Sequence, residues 1–252
     1  MPEVRAWDGR SYDRISGPMQ ALGEAVLERL TLVGDETVLD AGCGSGRVTE
    51  ALIARLPRGK VIGVDVSESM VLAARERLGP EADVRRVDLL ALEQELEEPV
   101  DAILSTATFH WIADHAALFR ALHGAMRPGG RLVAQCGGEG NIAKLRGRAG
   151  AVMSREPYAE HFRTFAPPWN YASAADTRAR LRAAGFATAE CWLAQAPTQP
   201  EHPREFLSTI VLGPHFQHLP ERLREPFMDE VMVEVGEPVI VDYVRLNIDA
   251  TA

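Results

Sequence analysis

Cysteine is scarce in this chain: Cys43, Cys136 and Cys191 are the only three in 252 residues, and no two stand at C-x-x-C spacing. An odd, scattered set gives neither a disulfide framework nor a zinc pattern. Positive charge is also short, with 27 Lys and Arg against 36 Asp and Glu and a formal net charge of -9. A nucleic-acid surface needs the opposite balance, so Arg85-Arg86 and the series Arg178, Arg180, Arg182 read as solvated faces. No apolar run approaches the about 18 residues of a membrane span, and Met1-Pro2-Glu3-Val4-Arg5 lacks a signal-peptide core. The one close histidine pair, His215-x-x-His218, has no Cys or acid near it in sequence and reads as a surface loop. The expectation is a cytoplasmic protein, monomer or homodimer, without metal, membrane or nucleic-acid partner.

The chain does have a short apolar run that ends in an acid and passes into alternating glycines: Val38-Leu39-Asp40-Ala41-Gly42-Cys43-Gly44-Ser45-Gly46-Arg47. A buried strand turning tightly into a helix has this form, and its glycines let a ligand lie against bare backbone. The dinucleotide fingerprint G-x-G-x-x-G is broken, because Arg47 stands where the last Gly or Ala belongs. Asp40 at the strand end would repel a pyrophosphate but suits a cation. A second apolar run, Val61-Ile62-Gly63-Val64-Asp65, closes on an acid about 20 residues after the loop, where a carboxylate can take ribose hydroxyls. Ser67 then starts a helix with Met70 in its first turn, and a third run, Val84 to Val87, closes on Asp88-Leu89. Each acid alone could be a strand-end or helix-start cap. Three in register with a glycine loop point to a site.

Asp-x-Gly-x-Gly-x-Gly and the later Asp-x-Ser-x-x-Met resemble the first motifs of the class I S-adenosylmethionine-dependent methyltransferases. The resemblance implies S-adenosyl-L-methionine as cofactor and S-adenosyl-L-homocysteine as product. It implies cofactor contacts from Asp40, Gly42, Cys43, Gly44, Asp65, Val66, Met70, Asp88, Leu89 and Ser105. Asp88 would bond the adenine amino group. The segment before the first helix, with Trp7 and Tyr12, folds over cofactor and substrate in that family. Tyr12 is thus a candidate cofactor contact and Trp7 a candidate substrate contact.

Strand-like and helical stretches alternate from Val38 to Cys136, which specifies βαβ units, a parallel sheet and a ligand at the carboxyl ends of the strands. The expected fold is an α/β, Rossmann-like, mostly parallel seven-stranded sheet with helices on both faces and a small helical or irregular cap. One domain spans 1–252: an N-terminal cap helix in 1–33, a cofactor-binding core in 34–138, and lid or insertion segments in 139–175 and 196–238. Helices are expected over Pro18 to Leu30, Arg47 to Leu56, Glu68 to Leu78 and Ser173 to Ala184, with two short ones between Glu201 and Val235. The last strand is expected over Val239 to Leu246. Arg146 to Tyr171, broken by Pro157 and Pro167-Pro168 and rich in aromatics, reads either as a lid over an apolar pocket or as a satellite core.

The strand Val100 to Leu104 delivers Ser105-Thr106-Ala107-Thr108-Phe109-His110-Trp111 to the same edge. The His-Trp pair and the following Ile112-Ala113-Asp114-His115 resemble the trans-aconitate methyltransferase-like bacterial enzymes, and the loop Gly137-Gly138-Glu139-Gly140-Asn141-Ile142 resembles that of an uncharacterised bacterial branch of them. This resemblance makes O-methylation of a small carboxylic acid the first expectation. A natural-product hydroxyl, phenol or amine, a carrier-bound acyl group or lipid, and a cofactor-binding protein without transferase activity are the alternatives. His110 is the catalytic candidate: a packing residue, a group that orients the acceptor oxygen, or a general base. Trp111, Trp169 and Tyr171 join it as candidate substrate contacts. Arg146, Arg148, Arg155 and Arg163 are available as anchors for a polycarboxylate.

Overall fold

The computed structural model describes residues 17–80 and 82–252. Trp7 and Tyr12 lie outside the described residues. Seven strands form one sheet in the order β3-β2-β1-β4-β5-β7-β6. They are β1 Thr37–Ala41, β2 Lys60–Asp65, β3 Asp83–Arg86, β4 Val100–Thr106, β5 Met126–Gly137, β6 Thr188–Gln195 and β7 Val244–Thr251. β1 to β5 run parallel, while β7 lies antiparallel between β5 and β6. The central strands are near-continuous apolar runs because both sheet faces are covered. Leu39, Ile103, Leu132 and Ile248 pack under the helices His115–Gly124 and Ala174–Ala184. Val38, Leu104 and Val133 pack on the other face, under the helices Gly17–Leu27 and Arg47–Ala54.

Local signals place the helix ends. Ser173 accepts a hydrogen bond from Asp176 N–H at 3.0 Å, and Gly185 closes that helix at φ 112°. Asp114 caps the helix His115–Gly124 by accepting from Ala117 N–H at 2.9 Å. Such caps contribute about 1 kcal/mol each. The helix expected over Glu68 to Leu78 has those bounds.

The cap departs from expectation. Residues expected to be irregular form the helix Ala143–Met153, and the region expected to hold two short helices carries four helical segments. These are Pro203–Phe206, a π-helical turn Leu207–Val211, Gly213–Phe216 and the 15-residue Glu221–Val235. Together they enclose a second apolar core that includes Leu145, Tyr158, Phe162, Phe206, Phe227 and Val241. The last strand begins at Val244 rather than at 239, since Val239, Val241 and Tyr243 turn into the cap core while Ile240 faces outward. His215 is buried against Phe162, Phe165 and Phe227, not in a surface loop. Burial pushes its pKa down to about 4. Among the described residues, no helix is long and apolar enough to cross a membrane.

Phe227 is fully buried at the centre of the cap, against Tyr158 at 5.3 Å and Phe162 at 5.5 Å between ring centroids. Replacing it with Ala should lower stability by about 3–5 kcal/mol, read from the urea midpoint. A loss below about 1 kcal/mol would mean that the cap core is loosely packed.

Candidate functional site

Each parallel strand ends at one edge of the sheet, and the described residues singled out for the cofactor border that edge. After β1 the chain turns through Gly42, Gly44 and Gly46, whose φ values of 84°, 55° and 83° suit glycine. Gly42 and Cys43 N–H both donate to Val64 O of β2, at 2.8 and 2.9 Å. The Asp65 carboxylate completes the tie: one oxygen accepts from Gly44 N–H at 3.0 Å and the other from Ser67 N–H at 2.8 Å. Each oxygen keeps a second lone pair for a ligand. Burial pushes the Asp65 pKa up against these backbone bonds.

Asp40 is buried at 1% exposure. Its Oδ2 accepts from the Thr49 hydroxyl at 2.7 Å, while Oδ1 has no hydrogen-bond partner among the described residues. Burial, reinforced by the neighbouring Asp65 charge and opposed by Thr49, pushes its pKa from 3.8 up to about 6. A buried carboxylate oxygen without a partner is expensive, and a cationic ligand would offset that cost.

The other expected cofactor residues border the same edge. Met70 and Leu89 are buried, and Val66 is exposed. Asp88 accepts from Leu90 N–H at 3.0 Å, a capping bond that leaves its other oxygen available. The Ser105 hydroxyl donates to Ala41 O at 2.6 Å and pins β4 to β1. Cys43 packs beside Gly63, and burial pushes its thiol pKa well up.

A second group, beyond β4, adjoins the glycine turn. Thr108, not singled out from the sequence, lies against Gly42, where a Cβ would fall 2.1 Å from its Oγ1. Ala107 holds a left-handed φ of 57°, sparsely populated for alanine and often kept at functional sites. The turn Phe109–Trp111 then places His110 and Trp111 on a small cavity of about 60 Å³, shared with Asn141, Tyr171 and Arg245. Asn170 fastens the far wall, donating from its N–H to His110 O and from its side chain to Ala113 O. The rings of Trp111, Trp169, Tyr171 and His110 follow one another at 6.1, 5.8 and 5.7 Å. The aromatic stretch therefore splits. Trp169 and Tyr171 line the cavity, and Tyr158 and Phe162 build the satellite core.

His110 is buried, and Gly137 N–H donates to its Nδ1 at 3.3 Å. A neutral ring with Nδ1 as acceptor carries its proton on Nε2. Burial pushes the His110 pKa well down, and the Arg245 and His115 charges add to the effect. The ring is thus neutral at pH 7 and keeps a donor. Among the arginines expected as anchors, Arg148 bonds the carbonyls of Glu234 and Val235, and Arg155 pairs with Glu230 and Glu234. Arg146 lies over the Trp169 and Tyr171 rings at 5.9 and 5.8 Å.

Arg245 was not anticipated. The signal lay in the alternation Arg245, Asn247, Asp249 against Leu246, Ile248, Ala250 in a strand flanked on both sides. There polar side chains must face the interior.

A family description of a methyltransferase domain matches residues 38–130. The chain is 30% identical over 224 residues to uncharacterized methyltransferase C70.08c of Schizosaccharomyces pombe, covering 86% of this chain and 84% of that one. It is 31% identical over 190 residues to trans-aconitate 2-methyltransferase of Methylobacterium nodulans, covering 75% and 68%. The solved structure of mycolic acid cyclopropane synthase CmaA1, complexed with SAH and CTAB, superposes with a TM-score of 0.59 at 17% identity, over 92% and 83% of the two chains. That likeness shows the fold alone.

Asp40 supplies a test of the electrostatics in the free protein. Its carboxyl holds a proton more tightly folded, at about 6, than at its ordinary 3.8, so the folded state binds more protons and stability falls as pH rises between those values. The loss should be on the order of 3 kcal/mol and level off above pH 6. Asp40→Asn, which keeps an acceptor for Thr49, should remove Asp40's share of that slope in urea titrations and leave the smaller share of Asp65, whose pKa burial also raises. An unchanged slope would mean that Asp40 is ionised throughout.

Proposed function

The chain belongs to the class I S-adenosylmethionine-dependent methyltransferases, and we propose that the group it methylates is a carboxylate of a small organic acid. The residues at the glycine turn fit the cofactor. The unpartnered Oδ1 of Asp40 and the anionic pair Asp40 and Asp65 suit a cationic ligand, and the open side of Gly44, where a Cβ would meet nothing within 4 Å, leaves backbone to approach. On this reading Asp40 faces the positively charged amino-acid end and Asp65 the ribose hydroxyls. Val66, Met70, Asp88 and Leu89 border the adenine, with Asp88 toward its amino group. By the resemblance, Trp7 and Tyr12 stay candidate contacts for acceptor and cofactor. When bound, the cofactor supplies an electrophilic methyl group on a sulfonium centre.

The protein's remaining tasks are to hold an acceptor oxygen in line and to keep water out. His110 is the observation that carries the acceptor class. With Nδ1 engaged by Gly137 N–H and its pKa well down, the ring is a poor base but has an Nε2–H to donate. A phenol or an amine would need a proton removed, whereas a carboxylate with a pKa of about 4 is ionised at neutral pH and needs none. His110 accordingly orients an acceptor oxygen, and Trp111, Trp169 and Tyr171 wall the site.

A homocysteine-release assay over small acids, phenols and amines tests this reading. Turnover is expected on acids, with kcat/KM for the acceptor, measured at saturating S-adenosylmethionine, flat between about pH 7 and 8, since Asp40 with its pKa of about 6 is ionised there and the acceptor has no proton to lose. His110→Gln, which keeps an N–H near the Nε2 position, should retain at least about a tenth of wild-type kcat. A general base would lose about 10²-fold or more on the same change, and that loss, or turnover on phenols alone, would overturn the carboxylate reading.

A further inference from the structure

Arg245 is 4% exposed, yet no carboxylate pairs with it among the described residues. Its Nε donates to a neutral acceptor, Gln135 Oε1, at 3.3 Å, and its guanidinium carbon lies 5.5 Å from the Tyr243 ring centroid. The terminal nitrogens make no hydrogen bond to the protein among the described residues. The nearest acid along the strand, Asp249, is already held by Arg131 at 3.1 and 3.2 Å. The terminal nitrogens are not among the sealed polar atoms that lack a partner, so their four N–H donors open onto the cavity that Arg245 lines.

The side chain is also braced. Gln135 donates from Nε2 to Asn247 Oδ1 at 2.9 Å, which leaves its own oxygen for Arg245, and Arg29 donates to the same Asn247 oxygen at 2.7 Å. The network fixes the guanidinium without neutralising it. Arg245 lines the cavity that His110 lines, and no acid does so among the described residues. Register places Asp40 opposite Leu104, Leu104 opposite Val133 and Val133 opposite Asp249, so Asp40 and Arg245 stand on one sheet face. They are three strands apart, about 14 Å across the sheet, and Arg245 lies four residues, about 13 Å, further toward the carboxyl edge than Asp249, which is level with Asp40. The negative and positive groups are thus well separated along the edge.

We propose that Arg245 anchors a carboxylate of the acceptor that does not itself react, so that the acceptor carries at least two carboxylates. The proposal rests on the carboxylate reading above. An arginine on the reacting carboxylate would draw charge from the attacking oxygen, whereas one on a second carboxylate positions the first. Tyr171, whose pKa burial raises to about 12, stays neutral beside the bound anion.

Fumarate and crotonate share a four-carbon chain and differ in one carboxylate against a methyl group. Calorimetric titration of wild type, Arg245→Gln and Arg245→Lys, each saturated with S-adenosylhomocysteine, separates the possibilities. Wild type should bind fumarate on the order of 10- to 100-fold more tightly than crotonate. Arg245→Gln should bind the two alike, Arg245→Lys should keep part of the preference, and S-adenosylhomocysteine affinity should hold in both variants. A preference that survives in Arg245→Gln, none in wild type, or a fall in S-adenosylhomocysteine affinity matching that for both acids would overturn the proposal. Fumarate bound through Arg245, together with homocysteine release on phenols or amines alone in the acceptor screen, would leave the anchor standing and remove the carboxyl-transfer reading.

Discussion

The Asp65 carboxylate holds the site together before any ligand arrives. Its two bonds, to Gly44 N–H and Ser67 N–H, join the turn after β1 to the end of β2 and the start of the next helix. Charge-assisted bonds to backbone amides are among the stronger contacts a folded chain makes. They fix a loop that glycine makes otherwise permissive. Thr108 does the same from β4, with its hydroxyl on Gly42 O at 3.2 Å. The turn is thereby braced by both neighbours of β1, and the loop beyond β4 that carries His110 is set against it.

That bracing leaves an edge with charge separated along it. Asp40 and Asp65 lie on β1 and β2, and Arg245 lies on β7, with a ladder of aromatic rings near the arginine end. The acidic end suits a sulfonium cofactor, and the basic end suits an anion. Between them His110, held neutral by burial, can donate a hydrogen bond without competing for a proton. A lower local dielectric than that of water would strengthen each of these interactions.

The sheet core and glycine turn were legible in the sequence because their determinants are local: an apolar run, an acid, and glycines where φ is positive. The helix from Ser173 followed for the same reason, with a serine at its start and Gly185 just past its end. The cap was less legible because its core joins residues 142–165 to residues 206–243. His215 looks exposed beside Pro214 and Gln217 until Phe162 and Phe165 fold over it. Val239, Val241 and Tyr243 alternate like a strand, but what they pack against is the cap. Arg245 was missed because a lone arginine in an apolar strand reveals its role only once register shows which face it occupies and which acids are already taken.

The chemical nature of the new bond tests the central claim most directly. Protein given S-adenosylmethionine with a carbon-13 methyl group and a mixture of small dicarboxylic acids should yield a labelled methyl ester by NMR, and mild alkali should release its label as methanol. Label in an alkali-stable ether, N-methyl or C-methyl group, with none in an ester, would contradict the account.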